Sequence, residues 1–211
     1  MTKEEVLSLT PDERIAEIAR RYADIIALIG EDPEREGLVK TPLRAAKALW
    51  FCTGGYRTDP AEILGGALFE RPGSGIVVVR DIEFHSMCEH HILPFFGTVS
   101  IAYLPGEHIV GLSKIARIVN VFARRLQVQE RFTRQLCDEI LGDIGARGVM
   151  VRCRAEHLCM KMRGVEKQCP ATVTLEYNGV FATDPAARTE ALAQHRWLPH
   201  RPGRDTRRSA V

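Results

Sequence analysis

The sequence lacks a long apolar run. Its longest purely aliphatic stretch is Ile76-Val77-Val78-Val79, far shorter than the roughly 18 to 20 residues that cross a bilayer, so a membrane-spanning helix is excluded. The chain opens with Glu4 and Glu5 where a secretory signal needs an apolar core, so we expect a cytoplasmic protein. A composition of 45% hydrophobic and 27% charged residues over 211 positions is typical of a globular protein.

The sequence also lacks a strong excess of one charge. The formal net charge is +2, and the excess is local: between His195 and Val211 five arginines stand against one aspartate. The rest of the chain is slightly acidic, which does not favour nucleic-acid binding. We expect residues 198–211 to form a basic, disordered tail, with phosphate or nucleic-acid contact through its arginines as the alternative.

Three motifs of known chemistry are missing. There is no CxxC among the six cysteines and no HExxH, so neither a zinc ribbon nor a zinc peptidase is supported. There is no GxxxxGK followed by Ser or Thr, so any bound phosphate must be held by side chains rather than by a P-loop. In a reducing cytosol, cysteines serve metal binding or catalysis more often than disulfides.

Two helices are predicted before residue 75. Thr10-Pro11 reads as a cap and a first helical proline, and apolar residues at helical spacing extend this helix over about 11–29. Thr41-Pro42 is expected to cap a second helix that continues through Trp50. Residues 1–75 are therefore predicted to be an N-terminal helical arm and a connection.

The remaining elements predict one α+β domain over residues 76–197. In order, they are strands at 76–84 and 96–103, a helix capped by Ser113, a helix that ends before Gly145, strands at 149–159 and 171–181, and a helix at 185–197. The order β-β-α-α-β-β suggests paired helices laid on an antiparallel sheet. In the last strand, alternation predicts that Val173, Leu175 and Tyr177 face inward.

A cluster of thiols and imidazoles carries the strongest chemical signal. Cys88 stands three residues before His91, and His157 stands two residues before Cys159 on one predicted strand face. Cys88, His91 and Cys159 would form a Cys₂His set around zinc, and three protein ligands plus a water are typical of a catalytic zinc site. His90 and His157 would then remain within reach as general acid and base candidates.

Other interpretations of this cluster stay open from spacing alone. His90 or His157 could be the fourth ligand of a closed structural site, or the thiols could be buried without any metal. A histidine on a strand is usually a hydrogen-bonded core residue.

A few charged residues are candidates for binding a phosphate group and a nucleobase. Lys114 and Arg117 lie three apart at a predicted helix start, and Arg163 shares strand parity with Cys159 if that strand continues, although such charges are more often solvated. Glu130 is either a favourable helix cap or a carboxylate that accepts the adjacent N1–H and 2-amino donors of guanine.

Four separate runs of the chain resemble one family. The runs are His85-Ser86-Met87-Cys88-Glu89-His90-His91-Ile92-Leu93-Pro94-Phe95, Gly111-Leu112-Ser113-Lys114-Ile115-Ala116-Arg117-Ile118-Val119, Gln127-Val128-Gln129-Glu130-Arg131 and His157-Leu158-Cys159-Met160-Lys161-Met162-Arg163-Gly164. Together, in this order, they resemble GTP cyclohydrolase I. The similarity extends from about Gly37 through Thr41-Pro42-Leu43-Arg44 to the final helix.

The resemblance implies a zinc hydrolase that opens the imidazole ring of GTP at C8, releases formate and recloses the product as 7,8-dihydroneopterin triphosphate, the entry to folate and related pterins. It implies zinc ligation by Cys88, His91 and Cys159. It also implies that His157 protonates the ring nitrogen next to C8 and that His90 assists proton transfer at the ribose. The implied substrate contacts are Glu130 and Gln129 at the guanine edge, and Ser113, Lys114, Arg117, Arg163 and Arg44 at the triphosphate.

The resemblance further implies the tunnelling fold, in which subunits join their sheets into a barrel, two pentamers stack as a decamer and active sites form between subunits. The chain departs from the family's usual small, hydroxyl-rich run at Thr174-Leu175-Glu176-Tyr177-Asn178. Two alternatives share the resemblance: a paralogue in a specialised deazapurine or pterin pathway, and a catalytically silent purine-binding scaffold.

Overall fold

The computed structural model describes residues 1–64, 67–70 and 73–194. Its helices are α1 (Lys3–Ser8), α2 (Pro11–Leu28), α3 (Thr41–Cys52), α4 (Pro60–Leu64), α5 (Leu112–Ala123), α6 (Gln129–Asp143), α7 (Leu158–Lys161), α8 (Val180–Thr183) and α9 (Pro185–Gln194), with a 3-10 turn at Gly54–Arg57. Its strands are β1 (Leu68–Glu70), β2 (Val77–Cys88), β3 (Pro94–Leu104), β4 (His108–Val110), β5 (Leu126–Gln127), β6 (Gly148–His157) and β7 (Thr172–Gly179).

The two predicted N-terminal helices are present as α2 and α3. A capping box begins α2, since Glu13 N donates to Thr10 Oγ1 at 3.3 Å and Thr10 N donates to the Glu13 carboxylate at 2.7 Å. The predicted cap of α3 is wrong in detail: Thr41 is the first helical residue, Lys40 precedes it, and neither side chain caps the helix. The helices α2 and α3 pack mainly on each other.

A five-stranded sheet forms the body of the domain, in the order β5-β2-β3-β6-β7. Its long neighbours all pair antiparallel, and only the two-residue β5 pairs parallel. Helix α5 packs on β2, and helix α6 packs on β6 and β7. The predicted α+β class and the β-β-α-α-β-β order are confirmed, whereas the short strands β1, β4 and β5 carry too few residues to show a period.

The main core lies between the sheet and the helices α5 and α6. Its members are fully or almost fully buried apolar side chains, among them Phe84, Phe95, Ile115, Phe132 and Leu136. A smaller cluster on the opposite face joins Met150 of β6 to Phe181 and Ala191. The sheet is therefore covered along one face and only partly covered on the other.

The face assignment predicted for β7 is wrong for two of its three residues. Val173 is 51% exposed and Leu175 is 38% exposed, while Thr174 faces α6 and hydrogen-bonds there. Alternation identifies the two faces of a strand but does not say which of them the helices cover. Tyr177 shares the face of Val173 and packs on the smaller cluster.

Among the described residues, no helix is long and apolar enough to cross a membrane. The end of the last predicted helix, beyond Gln194, and the basic tail at 198–211 lie outside the described residues. Ser113 does not cap α5, because Gly111 precedes the helix and Ser113 is its second residue.

Candidate metal centre and substrate site

The turn between β2 and β3 brings the first two predicted ligands together. Cys88 ends β2, and its carbonyl accepts from Ile92 N at 2.8 Å while its own N–H donates to Leu93 O at 2.8 Å. The turn places Cys88 Sγ 3.6 Å from His91 Nδ1. It also holds Ile92 at φ 53°, a left-handed conformation that β-branched residues rarely adopt.

The third predicted ligand, Cys159, lies in the helical turn that follows β6 and not on the strand that the sequence predicted. Strand β6 ends at His157, and Cys159 lies in the helical turn α7, so Cys159 does not share a strand face with His157. Because His157 pairs with Phe95 at the start of β3, the end of β6 reaches the β2–β3 turn. One ligand atom each from Cys88, His91 and Cys159 lies within 4.8 Å of the others.

The chemistry of these three groups fits zinc. Two thiols and an imidazole are the donors that zinc prefers, and three protein ligands leave a position for water. Cys88 is buried, Cys159 is half-buried and His91 is exposed, so the group opens to solvent on one side. Burial and the neighbouring Cys88 raise the pKa of the Cys159 thiol, and the charge of Arg163 opposes that shift.

The side chain of His157 is less exposed than that of His90, the other acid-base candidate. Its ring is parallel to that of Phe95, with centroids 4.7 Å apart and planes 2° apart. Its Nε2 lies 2.9 Å from Gln129 Oε1. Burial lowers the pKa of His157, while the charge of Glu130 acts to raise it.

His90 lies at the solvent-exposed side of the cluster formed by Cys88, His91 and Cys159. Its side chain is 64% exposed, and its Nε2 is 3.8 Å from a Glu89 oxygen. Its ring stands edge-on to that of His91, with centroids 6.1 Å apart. The two predicted acid-base histidines therefore differ in environment, since His157 is half-buried and His90 is exposed.

An ion pair that the sequence did not predict anchors the β2–β3 turn to helix α6. Arg131 Nη2 pairs with the Glu89 carboxylate, and Arg131 Nε donates to Gln127 Oε1 at 3.0 Å. Glu89 N also donates to Gln127 O at 3.0 Å. The hydrogen bond from Arg131 is the main cause that lowers the pKa of Glu89.

Gln129 occupies a position that the guanine-edge prediction did not anticipate. It is 1% exposed, and its Nε2 donates to Cys153 O at 3.3 Å, Thr172 O at 3.2 Å and Thr174 Oγ1 at 3.2 Å. Its Oε1 faces His157. Both ends of the side-chain amide are therefore engaged inside the protein.

The other predicted substrate residues are spread over four places. Glu130 is exposed in the first turn of α6, and its charge reaches His157. Ser113 and Lys114 lie in the first turn of α5 and Arg117 one turn later, while Arg163 follows α7 instead of continuing the strand. Arg44 is exposed on α3, which packs mainly on α2.

Comparison with known proteins gives one consistent family. The family described as GTP cyclohydrolase I matches residues 18–196. The chain is 52% identical over 170 residues to GTP cyclohydrolase 1 of Porphyromonas gingivalis, covering 81% of this chain and 88% of that protein. It is 54% identical over 169 residues to that of Leptospira biflexa, covering 80% and 92%, and 49% identical over 181 residues to that of Bacteroides fragilis, covering 86% and 91%.

One solved structure is a distant likeness. The apo form of the archaeosine synthase QueF-Like is 13% identical, with a TM-score of 0.39 over 52% of this chain and 97% of its own. That score is too low to support an inference about this chain.

Proposed function

This chain belongs to the GTP cyclohydrolase I family, and we propose that it opens the imidazole ring of GTP at C8, releases formate and recloses the product as 7,8-dihydroneopterin triphosphate. The reaction is a hydrolysis and would be the first step of tetrahydrofolate and pterin synthesis. The observation that carries the proposal is the convergence of Cys88, His91 and Cys159 within 4.8 Å at the strand end that also carries His157.

Cys88, His91 and Cys159 would hold the zinc ion. Their donor set fits the metal, and the exposed side of the group gives water and substrate access. When bound, zinc would lower the pKa of its water to about 7 and so supply hydroxide near neutral pH.

The two histidines would move protons at different places. His157, packed flat on Phe95, would donate a proton to the ring nitrogen next to C8, which makes that carbon more electrophilic. His90, which is mostly exposed at the rim, would assist proton transfer at the ribose and during ring opening. The different burial of the two rings supports different roles.

Substrate recognition would come from the helix starts. Glu130, in the first turn of α6, would accept the two adjacent donors of the guanine edge. Ser113 and Lys114, in the first turn of α5, would bind the triphosphate where the helix dipole favours an anion. Further contacts to the triphosphate would come from Arg117, Arg163 and Arg44.

We also propose that the enzyme works as a homo-oligomer, a decamer of two stacked pentamers. Strand β7 ends the sheet and exposes Val173 and Leu175, and Arg44 is exposed on α3, which packs mainly on α2. A site shared between subunits would bring such a residue to a neighbouring metal group. A cytoplasmic location is part of the proposal, supported by the six cysteines, all of which are free.

The decisive experiment is a reaction of zinc-replete protein with GTP under reducing conditions, following formate and the pterin chromophore, with a chelated sample as control. We expect formate and pterin in equal amounts, both lost on chelation. Reducing conditions matter because Cys88 and Cys159 are close enough to form a disulfide when zinc is absent. Bound but unchanged GTP, with zinc present, would contradict the proposal and favour a silent binding scaffold.

A further inference from the structure

The side-chain amide of Gln129 has only one orientation that its surroundings accept. Its nitrogen faces two carbonyl oxygens, Cys153 O at 3.3 Å and Thr172 O at 3.2 Å, which can only accept hydrogen bonds. Turning the amide over would place its own oxygen against both of them. Because Gln129 is 1% exposed, no bulk water could relieve that repulsion.

The orientation of Gln129 determines which nitrogen of His157 carries a proton. Gln129 Oε1 is an acceptor and lies 2.9 Å from His157 Nε2, so Nε2 must donate. A neutral imidazole has a single N–H, and its lone pair is therefore on Nδ1. To act as an acid, His157 must first take up a proton from solvent on Nδ1, and Nδ1 then gives that proton to the substrate while Nε2–H stays bonded to Gln129 Oε1.

Two further contacts hold this arrangement in place. The Phe95 ring lies parallel to that of His157 and fixes the plane of the imidazole. Thr133 Oγ1 donates to Gln129 O at 2.8 Å and lies 2.6 Å from Thr174 Oγ1, which itself accepts from Gln129 Nε2. The hydroxyl of Thr174 and the carbonyl of Thr172 are thus the groups through which β7, the strand that departs from the family pattern, reaches the site.

We propose that Gln129 is a positioning residue, which holds His157 in the Nε2–H form and presents Nδ1 to the substrate, and that its side chain does not bind guanine. The inference rests on the proposed function, in which His157 is the proton donor. It predicts that loss of Gln129 lowers kcat and leaves KM for GTP almost unchanged, because the interaction assists the reaction and not substrate binding.

The first test is a measurement on the wild-type protein, with one variant used only to assign its signals. Solid-state NMR of sedimented, zinc-loaded protein labelled with ¹⁵N-histidine, recorded at pH 8, distinguishes a protonated ring nitrogen from one with a lone pair. His157→Gln identifies the His157 signals by their disappearance. We expect a proton on Nε2 and a lone pair on Nδ1, and the opposite tautomer would overturn the proposal.

The second test is kinetic and uses a matched pair of variants. Gln129→Leu should lower kcat at least about tenfold, with KM for GTP changed by less than about twofold and zinc content unchanged. Gln135→Leu is the control, because Gln135 lies on the same helix and bonds Gln127 at 2.9 Å, with no bond to His157. A Gln129→Leu variant that raises KM and keeps kcat would show that this side chain reads guanine and would overturn the proposal.

The two proposals fail in different ways. Wild-type protein that shows the Nε2–H tautomer but releases no formate contradicts the proposed function and leaves the hydrogen-bond assignment standing. Wild-type protein that releases formate but shows the Nδ1–H tautomer contradicts only the role of Gln129.

Discussion

The ring of Phe95 lies against the ring of His157, with planes 2° apart and centroids 4.7 Å apart. The two residues are register partners on β3 and β6. Phe95 is fully buried and also meets Phe84 edge-on at 5.8 Å. Phe95 therefore belongs to the hydrophobic core and also contacts the proposed proton donor. A substitution at Phe95 should change both the stability of the protein and its catalytic rate.

Phe95→Leu should lower both stability and kcat. The smaller side chain loses buried contacts, with an expected cost of about 1 to 2 kcal/mol in the free energy of unfolding, and it frees the His157 ring to tilt. Phe84→Leu is the control, since Phe84 is 1% exposed and contacts Phe95 and Phe132 but is not stacked on His157. Denaturant unfolding and steady-state kinetics measure both effects; equal kcat in the two variants would contradict the coupling.

Cys159→Ala should remove zinc and activity together, because two remaining ligands hold a catalytic metal poorly. The matched control is Cys153→Ala, which deletes a buried thiol of β6 that lies outside the metal group. We expect the control to lose some stability and keep one zinc per chain. Metal content by elemental analysis decides the point, and stoichiometric zinc in Cys159→Ala would show that the ligand set is wrong.

The closeness of Cys88 and His91 was predictable from sequence because the two residues are neighbours in one tight turn, a local property. Cys159 was placed on the wrong kind of element, since the apolar alternation of β6 gives no sign that the chain turns helical at Leu158. The hydrogen bonds of Gln129 were not predictable, because its partners Cys153 and Thr172 are distant along the chain. The resemblance supplied the substrate, which no periodicity could indicate.

Glu130→Gln should keep zinc and lose guanine recognition. The amide replaces one acceptor oxygen by a donor, which would then face a donor of the base. Asp138→Asn is the control, since Asp138 is a carboxylate on the same helix that bonds Asn178 on β7 and lies near Arg134. Isothermal titration with GTP and turnover assays measure the effect, and undiminished turnover by Glu130→Gln would rule out this assignment.

Alkylation should separate the six thiols into two classes. Burial raises the pKa of Cys137 and of Cys153 to about 12 from an ordinary value of 9.0, so both stay neutral and unreactive at pH 8. Exposed Cys169 should react first with iodoacetamide, as peptide mass spectrometry would show. The same shifts predict stability that is intact below pH 9 and declines as the pH rises toward 12, because the unfolded thiols ionise first.

Two substitutions to lysine on β7 should test the proposed oligomer. Val173 and Leu175 lie exposed on the strand that ends the sheet, where a second subunit could continue the pairing. In Val173→Lys with Leu175→Lys, burying two charges at such a contact would be costly, so we expect smaller particles in sedimentation velocity and a parallel loss of formate release. Leu7→Lys is the control, because Leu7 is 61% exposed on α1, outside the matched residues 18–196, and should change neither. A fully active monomer would contradict shared active sites, and an unchanged oligomer would place the contact elsewhere than β7.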